Sequence, residues 1–269
     1  MMLPYFTRFL ILHVLVIIIL QGANPGRFSP RAAPGIASDT HTLMLADEKI
    51  WVHVYERPGS ELVFVNLHDN ENTCVEAAML FLASHGGRLI ELRHGRGREV
   101  VIRRAGRMYP FDPNRMFSIK GLRKSLAHFN DISDDDLDLA SGFASEVIDL
   151  IAPTKGIPVI AIHNNSPGKL TIRDFMPGEW YGPDAQAVHT APNRDPDDFF
   201  FTNSTWLYES LADLDHNVAL MAERPPDRGT LGNYINNLGG LYIIVEAEHG
   251  HIQEQTLMLE DLGSLLRNR

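Results

Sequence analysis

The chain of 269 residues contains one cysteine, Cys74, so no disulfide can form within it. Cys74 lies in an apolar helical stretch and reads as a small buried residue rather than a nucleophile. No G-x-S-x-G elbow is present, which leaves a serine hydrolase without its characteristic turn. Basic clusters are almost as scarce. The formal net charge is −10, and Arg93 to Arg107 is a single Arg-rich segment, so no nucleic-acid partner is expected. Internal repeats are absent.

Long apolar runs are limited to one, residues 9–20. A short stretch carrying Arg8 precedes it, and small residues with Pro25 follow it, which is the layout of a secretory signal with cleavage near Gly22 or Ala23. The run is short for a membrane span. The expectation is an exported protein, periplasmic or secreted, that meets a membrane only through this segment if it stays uncleaved. Residues 1–23 are thus read as a signal peptide or anchor, 24–42 as a linker with prolines at 30 and 34, and 43–269 as one folded domain.

What is present is ordinary globular material, 44% hydrophobic and 22% charged. Residues 50–55 and 61–67 are apolar and β-branched, and the ERPGS turn between them predicts a hairpin. A helix is predicted over 73–85, stopped by Gly86 and Gly87. Residues 88–92 and 99–103 read as strands joined by the turn RHGRGR. Ser133 and the acidic run behind it start an amphipathic helix to about residue 151. Further strands are predicted at 156–162, 218–222 and 240–246, helices at 205–214 and 252–266, and a long proline-rich loop at 182–197. Strands interleaved with helices point to an α/β fold, a mixed and mostly parallel sheet flanked by helices.

The chemistry-bearing residues gather at predicted strand ends. HDNE places His68 and Glu71 at i, i+3 just after a strand, where an imidazole nitrogen and a carboxylate can address one point. The tetrapeptide by itself also fits a polar loop with a helix-capping Asn72 or Thr73. His163 and Glu246 stand where two other strands stop, and open α/β sheets form their sites at that edge. His68, Glu71 and His163 would make a His₂Glu zinc set with a fourth position left for water. Glu246 would then accept the proton of that water. Glu248, two residues on, competes for this role, but Glu246 falls inside the apolar strand pattern, where a buried carboxylate needs a reason.

A further element is DPNR, in which Asn114 and Arg115 are adjacent, with Arg107 upstream. With HDNE, the His163 of AIHNN and the Glu246 of YIIVEAEHG, the chain resembles the zinc carboxypeptidase family, including its succinylglutamate desuccinylase and aspartoacylase branch. The resemblance implies zinc held by His68, Glu71 and His163, Glu246 as general base, and Asn114 and Arg115 gripping a substrate carboxylate. The spacing RxxxxDxNR is similar to the aspartoacylase branch and implies that Arg107 polarises the scissile carbonyl. Pro113 departs from the family pattern. No residue is a sure equivalent of the tyrosine that closes over substrate, although Tyr181 and Tyr234 stand in range. The implied reaction is zinc-dependent hydrolysis of an amide beside a free carboxylate: a carboxypeptidase on exported or cell-wall peptides, or an N-acyl amino acid deacylase. A non-catalytic domain that binds peptide termini is the reading from another class, and it would need neither three ligands nor a base.

Overall fold

The computed structural model describes residue 31 and residues 33–95 and 97–267. The expected leader lies outside the described residues, as does most of the stretch from 24 to 32. The elements in chain order are β1 (Ala37–Leu45), β2 (Glu48–Arg57), β3 (Val63–Asn66), α1 (Asn72–His85), β4 (Gly87–Arg93), β5 (Val100–Arg104), β6 (Arg107–Phe111), α2 (Ile119–Ser125) and α3 (Asp134–Ile151). After these come β7 (Val159–Asn165), β8 (Ala185–His189), β9 (Phe199–Thr202), α4 (Thr205–Asp213), β10 (Asn217–Met221), α5 (Leu231–Asn237), β11 (Tyr242–Glu248) and α6 (Ile252–Arg267). Among the described residues, no helix is long and apolar enough to cross a membrane.

Nine strands form one mixed sheet in the order β1-β2-β4-β3-β7-β11-β9-β10-β8, and β5 pairs with β6 in a separate ribbon. The centre, β4-β3-β7-β11, is parallel throughout. Helices cover both faces. One core joins the sheet to α2, α3, α5 and the ribbon through Leu122, Phe143, Ile235 and Phe111. The other joins it to α1, α4 and α6 through Phe81, Leu207 and Leu259. This is the expected α/β sandwich with helices on both faces. Side chains of a strand alternate between these cores. Val159 and Ala161 of β7 face the first core and Ile160 and Ile162 the second, so His163 emerges on the first face at the carboxyl edge.

Local signals place the helices. Ser133 accepts the Asp136 amide while the Asp136 carboxylate accepts the Ser133 amide, the reciprocal cap expected at the start of α3. Two expectations are corrected. Residues 50–55 and 61–67 do not form a hairpin, because β4 lies between β2 and β3 and pairs with both. The folded domain also begins before residue 43, since β1 starts at Ala37 and pairs antiparallel with β2 along its length. Its first half is exposed on both sides, so no hydrophobic alternation marks it.

Candidate metal centre

Parallel pairing brings the carboxyl ends of β3, β7 and β11 to one edge, and three predicted ligands converge there. His68 Nδ1 lies 2.9 Å from Glu71 Oε1, and His163 Nδ1 lies 2.9 Å from Glu71 Oε2. The two Nδ1 atoms are 3.2 Å apart. All three side chains are buried. Two nitrogens on a tetrahedral zinc at bond lengths of about 2.0–2.1 Å would be separated by roughly 3.3–3.4 Å. The donor set and its spacing therefore fit a zinc ion.

The surroundings of His68 fix which nitrogen faces the centre. Its Nε2 is 2.8 Å from Asp112 Oδ1, and a carboxylate there accepts a hydrogen bond from Nε2–H, leaving the Nδ1 lone pair aimed inward. Asp112 also accepts the Asn114 amide at 2.8 Å. Burial disfavours the imidazolium of His68, but the charge of Glu71 and the bond to Asp112 outweigh it and its pKa rises. For His163 burial wins and the pKa falls. Burial also works against an ionised Glu71, yet the two histidines more than offset it and hold the carboxyl well below the usual range. A ready anion between two imidazoles is what a divalent cation requires.

His163 is held from behind. Gln255 of α6, fully buried, donates to the His163 carbonyl at 2.9 Å and accepts from Asn164 at 2.9 Å. Asn164 in turn accepts the Cys74 amide at 2.8 Å, so α1, β7 and α6 are tied at one point. Cys74 is buried as expected, its thiol pKa pushed up by burial.

Glu246 stands beside His163 in register on the neighbouring strand, with its side chain on the same face. It is buried and makes no hydrogen bond among the described residues. Burial, and then the charge of Glu71, push its pKa well above the ordinary value. Glu248 is placed differently. Its carboxylate lies with those of Asp195 and Asp197, and its ring neighbour is His251 at 3.8 Å.

Asn114 and Arg115 occupy a short 3-10 turn next to Asp112. Asn114 Oδ1 accepts the Leu231 amide at 2.9 Å, which docks the start of α5 on this turn. Arg115 is half-buried and makes no side-chain hydrogen bond or ion pair among the described residues. The turn is wedged in place by close backbone packing: a Cβ on Gly121 would stand 2.7 Å from the Arg115 carbonyl oxygen and 2.4 Å from Gly229 Cα. Gly121→Ala should therefore lower the unfolding free energy by about 1–3 kcal/mol, measured by urea titration, because backbone rather than a flexible side chain must yield.

Arg107 is not brought to the centre. It opens β6, exposed, and pairs with Asp131. Two residues near the centre were missed by the sequence reading. Asp112 belongs to DPNR, and its offset from Asn114 was the signal available. Arg98 came from the turn RHGRGR; its Nη1 donates to Glu71 Oε1 at 2.6 Å and its Nη2 to Asp112 Oδ2 at 3.3 Å. Its side chain is half-exposed. Tyr181 stacks on Phe175, and Tyr234 packs beside Phe117. The stretch 182–197 is not one long loop as expected, since it contains β8, which pairs with β10 at the sheet edge; the part after β8 contributes Thr190, Pro192, Arg194 and Pro196 to a cavity of about 350 Å³ shared with Ile172 and Arg173.

No family model and no curated protein matches the chain. Among solved structures it is similar to murein-tripeptide amidase MpaA from Escherichia coli O157, with a TM-score of 0.43 and 16% identity over 90% of this chain and 94% of that one. A score this low leaves the site's own geometry to carry the function.

Proposed function

We propose that the protein is a zinc-dependent hydrolase of an amide beside a free carboxylate, a carboxypeptidase acting on exported or cell-wall peptides. The observation that carries this reading is the convergence of His68 Nδ1, His163 Nδ1 and both Glu71 oxygens within bonding range of one point, with an unpartnered buried carboxyl, Glu246, on the adjacent strand. A binding domain has no use for that combination.

Zinc held by His68, Glu71 and His163 would acidify a bound water towards a pKa of about 7 and polarise the scissile carbonyl. Glu246 takes the proton of the attacking water and returns it to the leaving amine nitrogen. A dication beside it favours its ionised form, the form a base needs. Arg98 replaces Arg107 as donor to the developing oxyanion, since its guanidinium already reaches Glu71 and its side chain is half-exposed. Arg115, a planar fork without a protein partner among the described residues, holds the substrate carboxylate beside Asn114. The spacing that favoured an N-acyl amino acid substrate ran through Arg107, and its exposed position makes a peptide's C-terminal residue the better substrate class.

The direct test is a screen of peptides and N-acyl amino acids with the zinc-loaded chain, set beside two arginine variants. Arg98→Ala should lower kcat by roughly 10²–10³, the usual effect of losing an oxyanion donor, with little change in KM. Arg107→Ala should stay near wild type. Equal losses in both variants, or none in Arg98→Ala, would remove Arg98 from the reaction. Hydrolysis of no amide at all would leave a carboxylate-binding domain as the better account.

A further inference from the structure

The loop that carries Arg98 is tied down by one buried carboxylate. Asp69 follows His68 directly and is itself almost fully buried. Its Oδ2 accepts the His94 amide at 2.8 Å and also the Gly95 amide. Its Oδ1 accepts Arg93 Nε at 2.8 Å. Gly95 has φ +72°, a left-handed conformation that turns the chain so that two successive amides face one carboxylate.

Arg93 is braced in turn. Its Nη1 donates to Glu91 Oε1 and to Asn72 Oδ1, each at 3.1 Å. Glu91, buried within β4, has its other oxygen bonded to the Tyr55 hydroxyl at 2.8 Å. The brace therefore runs from β2 and β4 through Arg93 to Asp69, and from Asp69 into the loop. Three residues after Gly95, in the direction of β5, the Arg98 guanidinium reaches Glu71 and Asp112. Nothing in the reaction requires Asp69 at the metal: its oxygens are committed to the loop and to Arg93.

We infer that Asp69 is a positioning residue: it clamps the chain at His94 and Gly95 and thereby sets the stance of Arg98 over the carbonyl. This rests on Arg98 being the oxyanion donor of the proposed hydrolase. A charge-assisted bond to two backbone amides is a strong local restraint, and its loss lets the loop open without unfolding the sheet behind it.

The test is a double-mutant cycle on the zinc-loaded full chain, with the amide found in the screen as substrate. Asp69→Asn should lower kcat by roughly 10- to 30-fold with KM within about twofold, a part of the whole oxyanion effect. In the Arg98→Ala background the same substitution should cost nothing further, because a clamp with nothing to position has no effect on rate. A loss of equal size in both backgrounds overturns the proposal, as does a rise in KM with kcat unchanged.

A second readout needs no substrate. In the zinc-free chain, trypsin should cleave after Arg93 or Arg98 roughly tenfold faster in Asp69→Asn than in wild type, at an unchanged Tm, as expected for local opening. An unchanged cleavage rate overturns the clamp whatever the enzyme does. Absence of amide hydrolysis in wild type, by contrast, sinks the hydrolase reading and leaves the cleavage result to decide the clamp. If Asp69→Asn fails to fold, Asp69→Glu keeps the charge and displaces it by one methylene, and the same results are expected and the same ones overturn.

Discussion

Replacing His163 with alanine should strip the chain of metal. Wild-type protein dialysed against micromolar zinc should retain about one ion per chain by mass spectrometry, and the variant close to none. The reasoning is about ligand number. Even outer partners of zinc-bound histidines are worth roughly 10- to 100-fold in affinity, and His163 supplies one of only three protein donors. The effect should also appear without any substrate. Zinc at 100 times its Kd stabilises a folded chain by about 2.7 kcal/mol, or several degrees in Tm, and only wild type should show that rise. Removing Asp112, by Asp112→Ala, should weaken zinc by the smaller factor, since that carboxylate acts on the metal site through its hydrogen bond to His68. A His163→Ala protein that still holds one zinc, or a wild type that holds none after loading, would end the metallohydrolase reading.

The parts of this site that could be read from the sequence are those fixed by local chemistry. His68 and Glu71 follow the apolar strand β3, and His163 lies near the end of β7, where the polar residues themselves announce that each apolar run stops. Glu246 could be preferred over Glu248 because a carboxylate inside an apolar strand pattern has to be buried, and it is. The helices α1 and α3 were legible for the same reason, through Gly86 and the Ser133 cap.

What was not legible depends on contacts distant in sequence. That β4 slides between β2 and β3 is decided by pairing partners some thirty residues away, and the turn between two apolar runs carries no record of it. The same limit explains the two arginines. Arg107 had the better spacing to DPNR, but β6 pairs with β5 in a ribbon whose register turns Arg107 outward to Asp131. Arg98 lies in a glycine-bearing turn, where a long side chain is ordinarily a solvated one. It reaches the centre because Asp69, twenty-five residues earlier than the His94 amide it holds, pins the loop. A pattern of spacings cannot see that kind of tether.

Glu246→Gln should separate catalysis from stability, because the same carboxyl is an asset to one and a burden to the other. As general base its loss should lower kcat by roughly 10²–10⁴ while zinc content stays at wild-type level. Glu248→Gln serves as the control and should remain near wild type, since that carboxylate lies with Asp195 and Asp197. Stability should move the other way. In the zinc-free chain Glu246 is buried without a hydrogen-bond partner among the described residues, and its folded pKa lies well above the ordinary 4.5. The native state then binds more protons than the unfolded state, so stability falls as pH rises from about 4.5 towards the folded pKa. Glutamine carries no such penalty. Its zinc-free Tm should exceed that of wild type at neutral pH, with the gap closing as pH drops below about 4.5, where the Glu246 carboxyl is neutral in the folded and the unfolded state alike. A gap that widens in acid would mean that Glu246 is ionised and paired in the fold. A loss of zinc with the loss of rate would make it a ligand rather than a base. Higher stability at neutral pH, unchanged zinc and a rate reduced by orders of magnitude is the combination that a retained, unpaired base on β11 predicts.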